Sequence, residues 1–248
     1  LKYWLLAADI AEEKKVRGSK NILRLTECPG EIINAHDRYF EDIFTLWILH
    51  YHIVRKISSC TVWNLFFNRF DASEFSKANM VNKIFDEFNK IYNKGSSVYK
   101  SVADDCGLLL KMYSASAEDD AADPEDNLSS PFADLGLIKR DSRDKGSFAK
   151  TRPVYDKLDI MAVLYVIVSN MHGEKKSADI DTLLMQENNA GRVFNLDRTM
   201  LNEYLDRLKQ SGYITLNRTA GLDMVYLKKD MLPADILTEY YLMNERDA

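Results

Sequence analysis

The chain lacks a disulfide framework, a membrane-length apolar run, an excess of positive charge, and any short catalytic or cofactor signature. Cys28, Cys60 and Cys106 are odd in number and far apart, which fits a reducing cytoplasm. No two of them stand at zinc spacing. The most apolar stretch, Ile43 to Val54, is 12 residues long and ends at Arg55-Lys56; crossing a bilayer takes about 20. It reads as a buried core helix, so no membrane partner is expected. No charged-then-apolar signal peptide opens the chain, and the expected location is cytoplasmic. A net charge of −5 means that any contact with DNA must rest on local patches. No Gly-rich loop follows a P-loop or dinucleotide pattern, and no Ser sits in a nucleophile elbow. The expectation is a non-enzymatic protein without a cofactor, although sites built from scattered carboxylates leave no short signature.

What is present is periodicity. Within Asn195 to Lys229, Met200, Leu201, Tyr204, Leu205 and Leu208 recur at the three-and-four spacing of a buried helix face, and Gly212 marks its stop. Ile214 and Leu216 then alternate with Tyr213, Thr215 and Asn217 as a strand should. A turn at Arg218 to Gly221 leads into LDMVYLK. Helix, Gly stop, hairpin is the order of a recognition helix followed by a wing, which suggests duplex nucleic acid. The N-terminus repeats it in miniature. LKYWLLAADIAEE reads as the last turns of a helix running into a strand, and VRGSKNILRL as a Gly-Ser turn and a second alternating strand. Residues 1–28 are therefore expected to be the back half of a winged-helix-like module whose first helices lie upstream of Leu1.

Between these ends the pattern is helical. TVWNLFFNRF is aromatic-rich, and the helix after Ser76 carries Met80, Val81, Ile84, Phe85, Phe88, Ile91 and Tyr92 on one stripe up to a stop at Asn93-Lys94-Gly95. SASAEDDAADPEDNLSS cannot bury enough surface to offset its ordering and reads as an acidic linker. Lys139 to Thr151 reads as a basic, exposed stretch. Ser177 is expected to cap a short helix through Met185, and Pro233 to open a C-terminal helix. The expected fold is mainly α with small β-hairpins (α+β), a central helical bundle plus winged-helix-like modules. The expected divisions are 1–28, a partial module; 29–113, the bundle; 114–151, linker and surface segments; and 152–248, a C-terminal winged-helix-like domain.

The candidate nucleic-acid residues fall in two groups. Lys14, Lys15, Arg17, Lys20 and Arg24 crowd the first hairpin, where they would lie along phosphates or form a solvated hairpin whose field Glu12 and Glu13 partly cancel. Arg198, Asn202 and Arg207 face outward from the C-terminal helix, close to Glu203 and Asp206, which repel a phosphate backbone. From Thr151 onward Asp and Glu outnumber Lys and Arg, so this module leans toward a protein-facing or structural role. His50 and His52, two apart on one helix, point to different faces and read as core residues. His36 with Asp37, Glu41 and Asp42 is a denser cluster, read as an acidic helix start against a metal site.

Taken in order, KYWLLAADIAEE, TLWILHYHIV with TVWNLFFNRF, DDCGLLLKMY, SSPFADLGLI, GRVFNLDRTMLNEYLDRL and TAGLDMV resemble the bacterial domain-of-unknown-function family numbered four thousand and seven. The resemblance spans nearly the whole chain. It implies an accessory protein encoded beside DNA phosphorothioate-modification and sulfotransfer-type genes in phage-defence neighbourhoods. Members open with a Gly-His-Glu segment and a helix-turn-helix that would precede Leu1, and no catalytic residue is carried over. The expected partners are duplex DNA, other modification or defence subunits, and a second copy of the chain. The alternative is a protein-interaction scaffold of the same system without direct DNA contact.

Overall fold

The apolar run at the centre of the sequence becomes the central helix α3, Ile43–Arg55, buried on every side from Phe44 to Val54. Asp42 starts it by accepting the Phe44 N–H at 2.8 Å, satisfying one of the donors a helix start leaves free. The computed structural model describes residues 2–15, 21–114, 130–141, 144, 146–171, 176–219 and 222–247; Arg17, Lys20 and most of the acidic stretch lie outside them.

Around α3 stand α1 (Lys2–Ala7), α2 (Ile32–His36), α4 (Thr61–Arg69), α5 (Lys77–Tyr92) and α6 (Tyr99–Tyr113). The Ser76 hydroxyl caps α5 by accepting the Asn79 N–H at 3.2 Å, and Asn93 ends it at φ +48° in the left-handed region. The stripe stops one turn sooner than expected. Met80, Val81 and Ile84 are buried and Phe85 and Phe88 lean on the core, but Ile91 is 38% exposed. At the N-terminus α1 leads into a two-stranded hairpin, β1 (Ala11–Lys14) against β2 (Ile22–Leu25), in antiparallel register Ala11↔Leu25. Trp4 fastens α1 to the bundle by an edge-on contact with Trp63, centroids 5.4 Å apart.

The basic stretch expected to be exposed instead supplies two strands of a three-stranded sheet. β4 (Ile138–Arg140) and β5 (Ser147–Lys150) pair with each other, and β5 pairs with β3 (Glu74–Ser76), in the order β3-β5-β4. The reason lies in alternate side chains: Ile138 and Phe148 are buried, and Phe148 stacks on Phe75 with centroids 5.9 Å apart. Strands of three or four residues, each with a single large apolar side chain, leave little periodic signal.

The C-terminal part runs α7 (Ile160–Asn170), β6 (Ser177–Asp179), α8 (Ile180–Met185), α9 (Ala190–Val193), α10 (Arg198–Gln210), β7 (Ile214–Thr219), β8 (Leu222–Leu227) and α11 (Pro233–Asp247). Ser177 is not the cap of α8. It lies in β6, and Asp179 caps the helix by accepting the Thr182 N–H at 2.7 Å. The sheet order is β6-β8-β7, antiparallel throughout, with Ser177↔Tyr226 and Ile214↔Leu227 in register. Gly212, at φ +82°, makes the tight exit from α10 into β7. Ile214 is buried and Leu216 packs on the core, as their alternation requires. The buried side chains form one cluster from Ala7 to Tyr241. Among the described residues no helix is long and apolar enough to cross a membrane. The molecule is α+β, mainly helical with small antiparallel sheets.

Candidate nucleic-acid interface

On the first hairpin the acidic residues cancel particular cations. Arg24 Nε lies 3.1 Å from Glu12, and Lys2 pairs with Glu13, which also accepts from Asn21 at 3.3 Å. Hydrogen bonds from Lys2 and Asn21 hold the Glu13 carboxyl below the usual carboxylate range. Lys14 and Lys15 are exposed and have no ion-pair partner among the described residues. They are the two described hairpin cations whose charge is available to a phosphate.

On α10 the three outward residues are already engaged. Arg198 pairs with Asp181 on α8. Asn202 accepts from Arg218 of β7 at 3.1 Å, and Arg218 also lies 3.3 Å from Asp206. The Arg207 guanidinium sits over the Tyr155 ring, 5.1 Å from its centroid. Exposed contacts of this kind are worth little and yield to a competing phosphate.

Beside the N-terminus of α10 opens a cleft of about 710 Å³, bounded by the end of α4, the edge of the β3-β5-β4 sheet, and α8 and α9. Among the described residues, five cationic ones line it, Lys139, Lys150, Arg152, Arg192 and Arg198, against two carboxylates, Asp71 and Asp197. Arg192 Nη1 meets Asp71 at 2.5 Å while its Nε donates to the Met185 carbonyl at 3.2 Å. Arg152 Nη1 lies 2.9 Å from Asp197. Lys150 points inward from β5 and donates to the carbonyls of Phe66, Phe67 and Phe70 at 3.1, 3.4 and 3.0 Å. Its ammonium thus closes the C-terminus of α4, where the helix dipole favours a cation. Burial pushes the Lys150 ammonium down to about 8. Gly191 allows α9 to lie against α8, since a Cβ there would stand 2.2 Å from the Leu184 carbonyl oxygen. That approach sets the position of Arg192.

Of the candidate nucleic-acid residues named from the sequence, only Arg198 lies in this cleft among the described residues. Lys139, Lys150, Arg152 and Arg192 come from two separate segments, and the one available signal was the basic character of Lys139 to Thr151, which holds the first two.

The histidine-containing clusters serve the packing. Asp37 accepts the backbone N–H groups of Glu41 and Asp42 at 2.9 and 3.1 Å and the Thr45 hydroxyl at 2.6 Å. Asp42 accepts from the Tyr240 hydroxyl at 3.1 Å, and His36 stacks on Tyr241 beside Glu245, tying α2 and α3 to α11. His52 bridges Asp9 at 2.7 Å and the Tyr165 hydroxyl at 2.8 Å; burial lowers its basicity although Asp9 raises it. Among the described residues no group of three or more His, Cys, Asp and Glu side chains converges as a metal site would.

No curated protein matches this chain. Two solved structures share its fold, the magnesium ion-bound crystal structure of SspB (TM-score 0.82, 21% identity) and a second SspB crystal structure (TM-score 0.79, 20% identity). Each likeness covers 99% of this chain and 74% of the other. The model of a family described as protein of unknown function (DUF4007) matches residues 1–241, almost the full length of the sequence, and the chain belongs to that family.

Proposed function

We propose that this chain is an accessory subunit of a bacterial DNA-modification or phage-defence system, and that it binds duplex DNA through winged-helix elements rather than cutting it. The observation that carries this reading is the order of the C-terminal part. A helix (α7), an edge strand (β6), two short helices (α8, α9), a longer helix (α10) and a hairpin (β7-β8) whose second strand pairs with β6 follow one another in the order that supports a winged-helix reading. In that arrangement α10 takes the place of the recognition helix and the β7-β8 strands that of the wing. The helix-hairpin at the N-terminus, with Lys14 and Lys15 exposed, supplies a second basic wing. The gene neighbourhoods implied by the family resemblance supply the system, and a cytoplasmic setting and partner subunits go with it.

A second reading, a scaffold for partner proteins, is favoured by one observation. Leu232, Leu242 and Met243 stand 67%, 42% and 48% exposed on and just before α11, more apolar surface than a finished helix face needs.

The test is a titration of the full chain against a fluorescent duplex at rising salt, with magnesium present and strand integrity read on a denaturing gel. Salt-sensitive binding with intact strands is expected, and Lys14→Glu/Lys15→Glu lowers the slope of log affinity against log salt by about 2, at roughly 0.9 for each phosphate no longer neutralised. Binding that ignores salt, or none at low salt, removes the phosphate account and leaves the scaffold reading; nicked strands replace a binding role with a cutting one.

A further inference from the structure

The cleft beside α10 holds more positive charge than its own carboxylates neutralise. Asp71 and Asp197 each hold one guanidinium, those of Arg192 and Arg152. Each of these arginines keeps further N–H donors free, because a guanidinium carries five and these pairs use one or two. Asp181 orients Arg198 in the same way from outside the cleft. Lys139 is exposed on β4 and has no ion-pair partner among the described residues. Lys150 is different in kind. Its three donors are spent on the α4 carbonyls, so it offers its charge alone. Burying that ammonium is costly, as its lowered basicity records, and an anion seated in the cleft would offset the cost.

We infer that this cleft seats backbone phosphates of the bound nucleic acid, with Lys139, Arg152, Arg192 and Arg198 as direct ligands and Lys150 as a fixed charge behind them. The inference rests on the duplex-binding reading above and deepens it. In helix-turn-helix docking the N-terminal residues of the second helix enter the major groove while the preceding helix crosses the backbone. The corresponding places here are the start of α10 and the α8-α9 pair, and the cleft opens between them and the bundle. The four ligands would therefore meet the strand flanking the groove. They fix the register of the protein on the duplex and read no bases.

The experiment compares wild type, Lys14→Glu/Lys15→Glu and Lys139→Gln/Arg152→Gln/Arg192→Gln by anisotropy of a short fluorescent duplex over a range of salt. For the cleft variant an affinity loss of tenfold or more is expected, with the salt slope reduced by about 3, at roughly 0.9 for each of three phosphates. Arg152 touches the cap of α10, so folding is checked by circular dichroism. Lys139→Glu, an exposed change on a strand edge, repeats the test without that risk and should cost about fivefold, near the removal of one phosphate attraction and the addition of one repulsion. Wild-type binding unchanged by both cleft variants overturns the inference alone and leaves the hairpin account standing. Absence of wild-type binding overturns both. Displacement of the duplex by polyglutamate at equal charge concentration, abolished in the cleft variants, would assign the cleft to an acidic protein segment and overturn the phosphate assignment.

Discussion

His50 shows how much one buried polar residue can decide. Its ring lies between the Tyr113 hydroxyl at 2.7 Å and the Val193 carbonyl at 2.8 Å. A carbonyl only accepts, so Nε2 carries the hydrogen and Nδ1 accepts from Tyr113. The imidazole is thus held neutral, and burial pushes it down to about 4 from an ordinary 6.5. Because the folded form resists protonation, the unfolded chain binds the extra proton first; the stability contributed is full above pH 6.5 and is lost as pH falls toward about 4. The loss amounts to about 3 kcal/mol across that window, at about 1.4 kcal/mol per unit. Urea melts of wild type and His50→Gln at pH 7 and pH 4.5 should show the variant already weaker at pH 7 and less sensitive to acid. Equal acid sensitivity of the two proteins would place the titrating group elsewhere. That both histidines of α3 belong to the core was legible from their spacing. The partners were not, since Tyr113 and Val193 lie 63 and 143 residues away.

Among elements, α10 is where stability and binding pull in opposite directions. Asp197 accepts the Met200 N–H at 2.8 Å as the helix cap and holds Arg152 at 2.9 Å, yet its carboxylate stands in a cleft assigned to phosphates. Asp197→Ala should therefore lower stability by about 1 kcal/mol, the usual worth of a cap. Asp197→Asn, which keeps a capping oxygen and removes the charge, should leave the thermal midpoint nearly unchanged and tighten duplex binding about threefold at low salt, the order of one repulsion removed. A tightened complex with an unchanged midpoint separates the two roles; weaker binding by Asp197→Asn would mean that the carboxylate serves mainly to aim Arg152. The long elements were legible in the sequence because they repeat: α3 is apolar on every side, α5 carries its stripe between Ser76 and Asn93, and α10 runs from Asp197 to Gly212. The short strands were not. β3, β4 and β5 have three or four residues each and are specified by a cross-sheet Phe75–Phe148 contact rather than by any local alternation. The cleft was hidden for the same reason, since its cations are gathered by that sheet and by the close approach of α9 to α8 at Gly191.

On the scale of the whole molecule, a net charge of −5 sets a limit on how DNA can be held. On the proposed reading, a duplex is attracted where cations are concentrated, at Lys14 and Lys15 on the first hairpin and in the cleft. If both patches engage the same DNA, as the proposed function has it, the expected stoichiometry is one duplex per chain. Under that arrangement the losses caused by the hairpin and cleft variants are independent contributions to one equilibrium. Distant sites without shared partners add, so the combined variant should lose the sum of the two in log affinity and the sum of the two in salt slope. If the patches served different DNA molecules, each variant would instead remove one step of a two-step titration and leave the other unchanged. Sedimentation of the complex at increasing duplex concentration distinguishes these outcomes. A single boundary of one duplex per chain, weakening progressively from the hairpin variant to the combined variant, is the result expected of one duplex held by both patches.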